Sequence, residues 1–420
     1  MSANRAEELA GLGLFDGYGI ELEYMIVDGE RLSVLPAADR ALHAVAGDFV
    51  NEIETGALAW SNELALHVIE MKTNGPAASL EGLHQTFQRD VARANALLAP
   101  LGGRLMPTAM HPWMDPARET RLWPHGHSAI YQAFDRIFSC QGHGWANLQS
   151  MHINLPFADD GEFARLHAAV RMTLPLMPAL AASSPVMEGR LTGMLDNRLE
   201  VYRKNCRRIP SVSGRVIPEP AWSRKAYEAE ILQPIYRDLA PLDPAGVLQH
   251  EWVNARGAIA RFERNTIEIR VLDTQECPAA DIAVAALIVE TVRALTQEHW
   301  CGLRQLQKWD SAPLQRLFLH TAREADQAII DDEHYRAAFG FPERGPCRAR
   351  DLWQHLIETL LAPRAGRPPE WQQAYRLYLR RGCLARRIVD AVGDLPDAGR
   401  LAAVYRRLCD CLANGTLFDG

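Results

Sequence analysis

Ile20-Glu21-Leu22-Glu23-Tyr24 alternates carboxylates with apolar side chains, and this alternation decides how the chain is read. Three further segments repeat it: His67-Val68-Ile69-Glu70-Met71, Met151-His152-Ile153-Asn154-Leu155 and Ile267-Glu268-Ile269-Arg270-Val271. On a strand, successive side chains point to opposite faces. Glu21 therefore shares a face with Glu23, His152 with Asn154, and Glu268 with Arg270, while the apolar residues point the other way. An antiparallel sheet can bury one face and leave the other wet. A wet face with carboxylates, a histidine and an arginine on several strands exceeds what solubility needs. It reads as a metal and polyanion site on a rigid sheet.

Clustered carboxylates repel, and each desolvated charge is unfavourable unless a cation compensates. Glu21, Glu23, Glu70 and Glu268 are thus candidate ligands for Mg²⁺ or Mn²⁺, hard ions that take oxygen donors. His152, beside Asn154, is a candidate mixed-ligand contact. Glu63 lies seven residues before Glu70, an odd separation. On an unbroken strand the two would face opposite sides, so Glu63 can join the site only through a bend or loop. For any single Glu-x-Glu a solvated strand face is the plainer reading; repetition on several strands favours the site.

Glu268 and Arg270 combine a candidate ligand with a fixed cation. The planar guanidinium can bind two phosphate oxygens at once. A cross-strand ion pair is the plainer alternative. A second basic group, Arg198, Arg203, Lys204, Arg207, Arg208 and Arg215, follows a Gly189-x-x-x-Gly193 turn. It lacks the aromatic interleaving of a nucleic-acid surface, so Arg198 at least is read as a contact for an anionic small molecule. No Walker loop, Rossmann glycine fingerprint, His-Glu-x-x-His helix or Gly-x-Ser-x-Gly elbow is present. ATP, if bound, is held by another design.

The 420 residues can bury a sizeable core in one large domain or two. A net charge of -7, from 45 Lys+Arg against 52 Asp+Glu, argues against a nucleic-acid binder driven by bulk charge. The N-terminus shows no basic-then-apolar secretory pattern. The most apolar stretch, Ile282 to Val289, is too short to span a bilayer. Eight scattered cysteines form no Cys-x-x-Cys pair. A cytoplasmic protein with reduced thiols is expected, without nucleic-acid or membrane partners; a homo-oligomer is left open.

Strands are expected at 18–28, 62–74, 103–108, 148–157, 250–254 and 265–273. Helices are expected from Leu80 to Leu98 after a Ser79 cap, at 159–180 and at 279–300. From about 304 the pattern becomes wholly helical: 312–330, 348–361, 369–392 and 397–413, with breaks at Pro363 to Pro369 and Gly393 to Pro396. Arg376, Arg380, Arg381, Arg386, Arg387, Arg406 and Arg407 crowd these helices and read as a solvated face, a basic lid or partner surface being the alternative. The division is a catalytic unit over 1–303 and a helical region over 304–420 packed on it.

At these residues the chain resembles the glutamate–cysteine ligase family, including its bacterial carboxylate–amine ligase branch. Gly19-Ile20-Glu21-Leu22-Glu23 looks like the family's opening Gly-x-Glu-x-Glu strand. Ile69-Glu70-Met71-Lys72-Thr73-Asn74-Gly75-Pro76 is similar to its Glu-x-x-Thr-x-x-Pro strand end. Leu174-Pro175, Ser183-Ser184-Pro185 and Gly189-x-x-x-Gly193-x-x-x-x-Arg198 resemble the segment that follows. Thr266-Ile267-Glu268-Ile269-Arg270-x-x-Asp273 resembles its Thr-Ile-Glu-x-Arg-x-x-Asp strand. The match covers roughly residues 15–300. Many short bacterial members carry His-x-His-x-Gly on the middle strand, whereas His152-Ile153-Asn154 is nearer the His-x-Asn form of glutamate–cysteine ligases proper.

The resemblance implies a glutamine synthetase-like α+β fold, with a curved antiparallel sheet carrying the site on its concave face and helices on its convex face. It also implies ATP with Mg²⁺, and an amino-acid-like carboxylate activated as an acyl phosphate before an amine attacks. A phosphotransferase on the same scaffold and a catalytically silent metal- or nucleotide-binding scaffold are the rival readings.

Overall fold

The computed structural model describes residues 11–361 and 369–420. The leader-free reading of Met1 to Glu8 and the expected break at Pro363 lie outside the described residues. The alternating segments form the middle of one large antiparallel sheet. Its first strands are β1 (Gly19–Asp28), β2 (Glu52–Glu54), β3 (Leu58–Asn62), β4 (Val68–Thr73), β5 (Gly103–Met106) and β6 (Ser150–Pro156). A two-stranded ribbon, β7 (Val186–Met187) and β8 (Arg190–Leu191), stands apart. β9 (Ala258–Arg261) and β10 (Thr266–Asp273) complete the sheet, in the order β2-β3-β4-β1-β6-β10-β9, with β5 pairing the second half of β1.

The apolar half of each alternation is the core. Ile20, Leu22, Ile69, Met71, Met151, Ile153, Ile267 and Ile269 are all buried. They belong to one cluster with Phe87 and Val91 of helix Leu83–Leu98, Phe163 and Leu166 of helix Asp160–Thr173, and Ile282 and Val289 of helix Pro278–Thr296. Burying each large side chain stabilises the fold by about 1.5–3 kcal/mol, so the period-two pattern fixes which face meets the helices.

Several expected elements are corrected. The expected strand 62–74 is a hairpin, β3 and β4 joined by a turn at 63–67. The segment 250–254 is not a strand but a single 3-10 turn, Glu251–Val253. Asn254 ends it by bonding the Tyr227 hydroxyl and accepting from its neighbour Arg256, the local capping that suits Asn to turns. Ser79 does not cap the following helix. Its hydroxyl accepts from the Glu81 amide, and the helix starts at Leu83 after Gly82, whose φ of 78° suits a residue without a side chain. The expected helix 159–180 breaks after Thr173 into a 3-10 turn and a short helix, because Pro175 and Pro178 each lack an amide donor.

The region after 304 holds helices Ser311–Glu324, Ala349–Leu356, Pro369–Arg381, Leu384–Val392 and Ala398–Asn414. It is not wholly helical: β11 (Ile329–Ile330) pairs β12 (Cys347–Arg348). Its polar side chains donate to main-chain carbonyls of the broken helix. Tyr335 reaches Met172, Thr321 reaches Pro175, Trp353 reaches Leu176 and Tyr378 reaches Ala179, at 2.6–3.2 Å. Arg387 is no solvated cation either. It is buried and bonds Glu276 at 2.6 Å.

β1 changes character along its length. Glu21 and Glu23 give way to Met25 and Val27 on the same face. Those two pack with Met106 against Ile388, Leu401, Val404 and Leu408, forming a second apolar cluster. The last two helices therefore cover one end of the face whose other end carries the carboxylates. Among the described residues no helix is long and apolar enough to cross a membrane, and all eight cysteines are free thiols.

Candidate active site

Strand register brings the polar residues together. Glu23 lies opposite Glu70, and Glu21 lies between Lys72 on β4 and His152 on β6. Asn154 stands between Gly19 and Glu268. A methyl group on Gly19 would meet the Asn154 Cβ at 2.8 Å, so this strand crossing requires glycine. The bare backbone leaves Asn154 free to donate to Glu21 at 3.0 Å.

Two residues reach the face against simple alternation. Glu63 follows β3 in phase with Ser61, and Ser61 lies opposite Glu70. The hairpin thus converts an odd separation into a shared face. On β10 a register shift falls between Ile269 and Leu272, leaving one extra residue at Arg270–Val271. Such a bulge reverses the alternation. Asp273 therefore pairs with Ser150 on the polar face instead of entering the core.

The buried charges hold one another. Glu21 accepts from His152 Nδ1 at 2.7 Å, and His152 Nε2 meets the Ser150 hydroxyl at 2.9 Å. Glu23 accepts from the Ser150 amide at 2.7 Å. Glu70 accepts from the Ser61 hydroxyl at 2.5 Å and from Lys72 at 3.0 Å. Glu268 pairs with Arg270 and Arg261, each at 3.2 Å. Arg198 is buried, donating to the Arg270 carbonyl at 2.6 Å and pairing with Asp273 at 3.4 Å. Asp273 also accepts from the Ser183 amide and the Ser184 hydroxyl, both at 2.8 Å.

These contacts decide who carries protons. Burial pushes the Glu21 carboxyl up, but the His152 hydrogen bond and the positive charges of His152 and Lys72 together leave it below its ordinary value. Burial opposes the His152 imidazolium, yet the hydrogen bond to Glu21 and the negative charges of Glu21 and Glu23 together raise its pKa above the ordinary value. Glu268 is opposed by burial but held low by Arg270 and His152. Glu23 is raised, chiefly by burial. Glu63 is raised well above the carboxylate range by burial and by the negative charges of Glu23 and Glu70.

A cavity of about 430 Å³ opens over this face. Its floor includes Glu21, Glu23, Glu63, Glu70, His152 and Glu268, with Arg198, Arg261 and Arg270 beside them. Its other walls are largely apolar and aromatic, including Tyr131, Phe134, Trp145 and Trp252. The structure thus brings every candidate site residue of the sequence reading to one cavity. It adds Lys72, Arg261, Ser150 and Tyr202 to that cavity, with Ser61 bonded to Glu70. Lys72 was readable, being two residues beyond Glu70 and in phase with it. Arg261 was not, because β9 had no alternating signature.

The donor set suits hard divalent cations. Ligand atoms of Glu21, Glu70 and His152 lie within 4.8 Å of one another, as do those of Glu23, Glu63 and Glu70. Glu70 belongs to both groups. A cation at the second group would favour ionised Glu63, so its binding should release a proton. Divalent-cation affinity should therefore rise with pH above the ordinary carboxylate value of 4.5, through the raised pKa of Glu63. Calorimetric titration of Mn²⁺ in two buffers of different ionisation enthalpy checks this. Glu63→Gln should reduce the buffer dependence, leaving the smaller contribution of Glu23, and weaken binding.

Comparison with known proteins adds to this geometry. The family model described as glutamate-cysteine ligase family 2 matches residues 18–338. An uncharacterised protein of Archaeoglobus fulgidus is 39% identical over 281 residues, covering 67% of this chain and 75% of that one. A Rubrobacter xylanophilus protein provisionally named glutamate–cysteine ligase 2-3 is 28% identical, covering 64% and 67%. The crystal structure of glutamate–cysteine ligase from Francisella tularensis in complex with AMP superposes with a TM-score of 0.60 at 11% identity, covering 94% of this chain and 88% of that one. At that identity the likeness is one of fold.

Proposed function

The chain belongs to glutamate–cysteine ligase family 2, and from that premise we propose that it is an ATP-dependent carboxylate–amine ligase working through an acyl phosphate. The observation that carries this reading is the sharing of Glu70 by two candidate cation groups beside Arg270. A carboxylate is a poor electrophile. Bringing it to the γ-phosphate of ATP sets anion against anion, and charge neutralisation is what the site offers. Glu21, Glu23, Glu63, Glu70, His152 and Glu268 would hold Mg²⁺ or Mn²⁺. Such ions, when bound, supply neutralisation of the polyphosphate. Arg270 contacts phosphate, and Glu268 orients it through their 3.2 Å pair. Arg198 sits behind them, where it faces the donor acid while tied to Asp273.

The donor is glutamate or a similar amino acid, and glutamate–cysteine ligation is the specific form suggested by the named relatives. The sheet is read as the curved sheet of a glutamine synthetase-like fold, and residues 304–420 as a helical region packed on the catalytic unit. Eight free thiols support a reducing compartment such as the cytoplasm.

ADP and phosphate should form in a reaction that requires both an acid and an amine, assayed over an amino-acid panel with Mg²⁺ and Mn²⁺. The acid alone should drive positional isotope exchange in ATP. AMP as the stoichiometric product would overturn the acyl-phosphate reading. ADP release needing one acceptor only, with a phosphorylated product, would establish the phosphotransferase alternative. Nucleotide binding without turnover would establish the silent scaffold.

A further inference from the structure

A second cavity, of about 180 Å³, lies beside the first. Leu12, Ala59, Pro76 and Pro156 give it apolar walls. Three residues line both cavities: Glu21, Lys72 and Arg264. The two spaces therefore meet at a seam with one carboxylate and two cations. We propose that this seam is the site of phosphoryl transfer, with Lys72 and Arg264 gripping the transferred group. The proposal rests on the ligase reading and extends it to two residues that its motifs leave unspecified.

Transfer between a nucleotide and an acid requires the two molecules end to end. Two cavities sharing a wall provide that arrangement, and the group passing between them must cross the shared residues. There the bond from phosphorus to the departing ADP oxygen breaks as the bond to the acid's carboxylate oxygen forms. No proton moves, so the groups needed are fixed positive charges. Lys72 is one of only four lysines in a chain that otherwise uses arginine, so a compact ammonium was placed where arginine is the common choice. Its three donors are directed at Glu70, Glu52 and Ser61, at 2.8–3.0 Å. Glu52 is the exposed partner, its side chain 46% accessible, and lines the smaller cavity. Its bond is the one a phosphoryl oxygen would replace. Arg264 sits in the turn between β9 and β10, and its guanidinium makes no hydrogen bond or ion pair to another described residue. It is exposed and already acts electrostatically on Glu268.

The test is equilibrium binding of ATP and AMP to the full-length protein with Mg²⁺, for wild type, Lys72→Met, Lys72→Arg and Arg264→Met, with ADP formation measured in parallel. Each Met variant should weaken ATP binding about tenfold, the loss of one charge-assisted contact. AMP binding should be unchanged, and Lys72→Arg should recover part of the ATP affinity. Arg264→Met breaks no side-chain bond in the protein, so folding does not confound it. An unchanged ratio of ATP to AMP affinity in both Met variants would overturn the seam while wild-type turnover kept the ligase reading intact. Equal losses for ATP and AMP would also overturn it, marking a structural role. Wild type that binds neither nucleotide would overturn both readings.

Discussion

Replacing Arg270 with lysine should lower kcat/KM for ADP formation by roughly 10²–10³-fold, the range seen when a preorganised charge-stabilising donor is lost. The loss should persist at saturating ATP. Arg270 is positioned by more than its charge. It lies at the bulge of β10, its amide donates to the Gly257 carbonyl at 2.8 Å, and one guanidinium nitrogen pairs with Glu268. Its Nε is buried without a protein partner, and in the proposed role a phosphate oxygen would satisfy it. Lysine retains the charge but not the fork, and cannot serve Glu268 and a phosphate in one plane. Circular dichroism and thermal melting should show a folded protein. Near-normal turnover of Arg270→Lys would remove Arg270 from the phosphate role.

Ending the chain at Asp310 should abolish soluble expression. The fragment would lack the helices that cover Met25, Val27 and Met106. It would also lose the donors to Met172, Pro175, Leu176 and Ala179, and the Arg387 partner of Glu276. Each large apolar side chain uncovered forfeits about 1.5–3 kcal/mol, and a few such losses approach the roughly 5–15 kcal/mol that holds a typical domain folded. Aggregation in a solubility assay, with dye binding to exposed apolar surface, is the expected result. A soluble, active 1–310 fragment would make the tail an independent module.

What the sequence revealed follows from physics that acts locally. Alternation along one strand requires no knowledge of its neighbours, so the pairs Glu21 with Glu23, His152 with Asn154 and Glu268 with Arg270 were legible. The burial of Ile20, Leu22, Ile153 and Ile269 followed from the same pattern, whereas the antiparallel sheet was what the family resemblance implied. What was hidden depends on pairing. The bulge that turns Asp273 onto the polar face exists only relative to β6. The hairpin that brings Glu63 round depends on where β3 meets β4. Tyr131 lines the cavity from helix Ser128–Phe138, which left no signal linking it to the strands. Arg387 looked solvated because its buried partner, Glu276, is 111 positions away.

The two-natured face of β1 also sets an order of events in the life of the chain. β1 is made well before the helices that cover Met25 and Val27, which lie more than 350 positions further along the chain. Arg406 caps the same contact by reaching the Glu30 carbonyl across 376 positions. Contacts of such separation form late, because long loops must close before any burial rewards them. During synthesis the strand holds its carboxylates beside uncovered oily residues, the kind of surface chaperones bind. Refolding should show a slow final phase, reported by Trp113 and Tyr405, whose rings meet edge to face at 6.0 Å when the last helix docks.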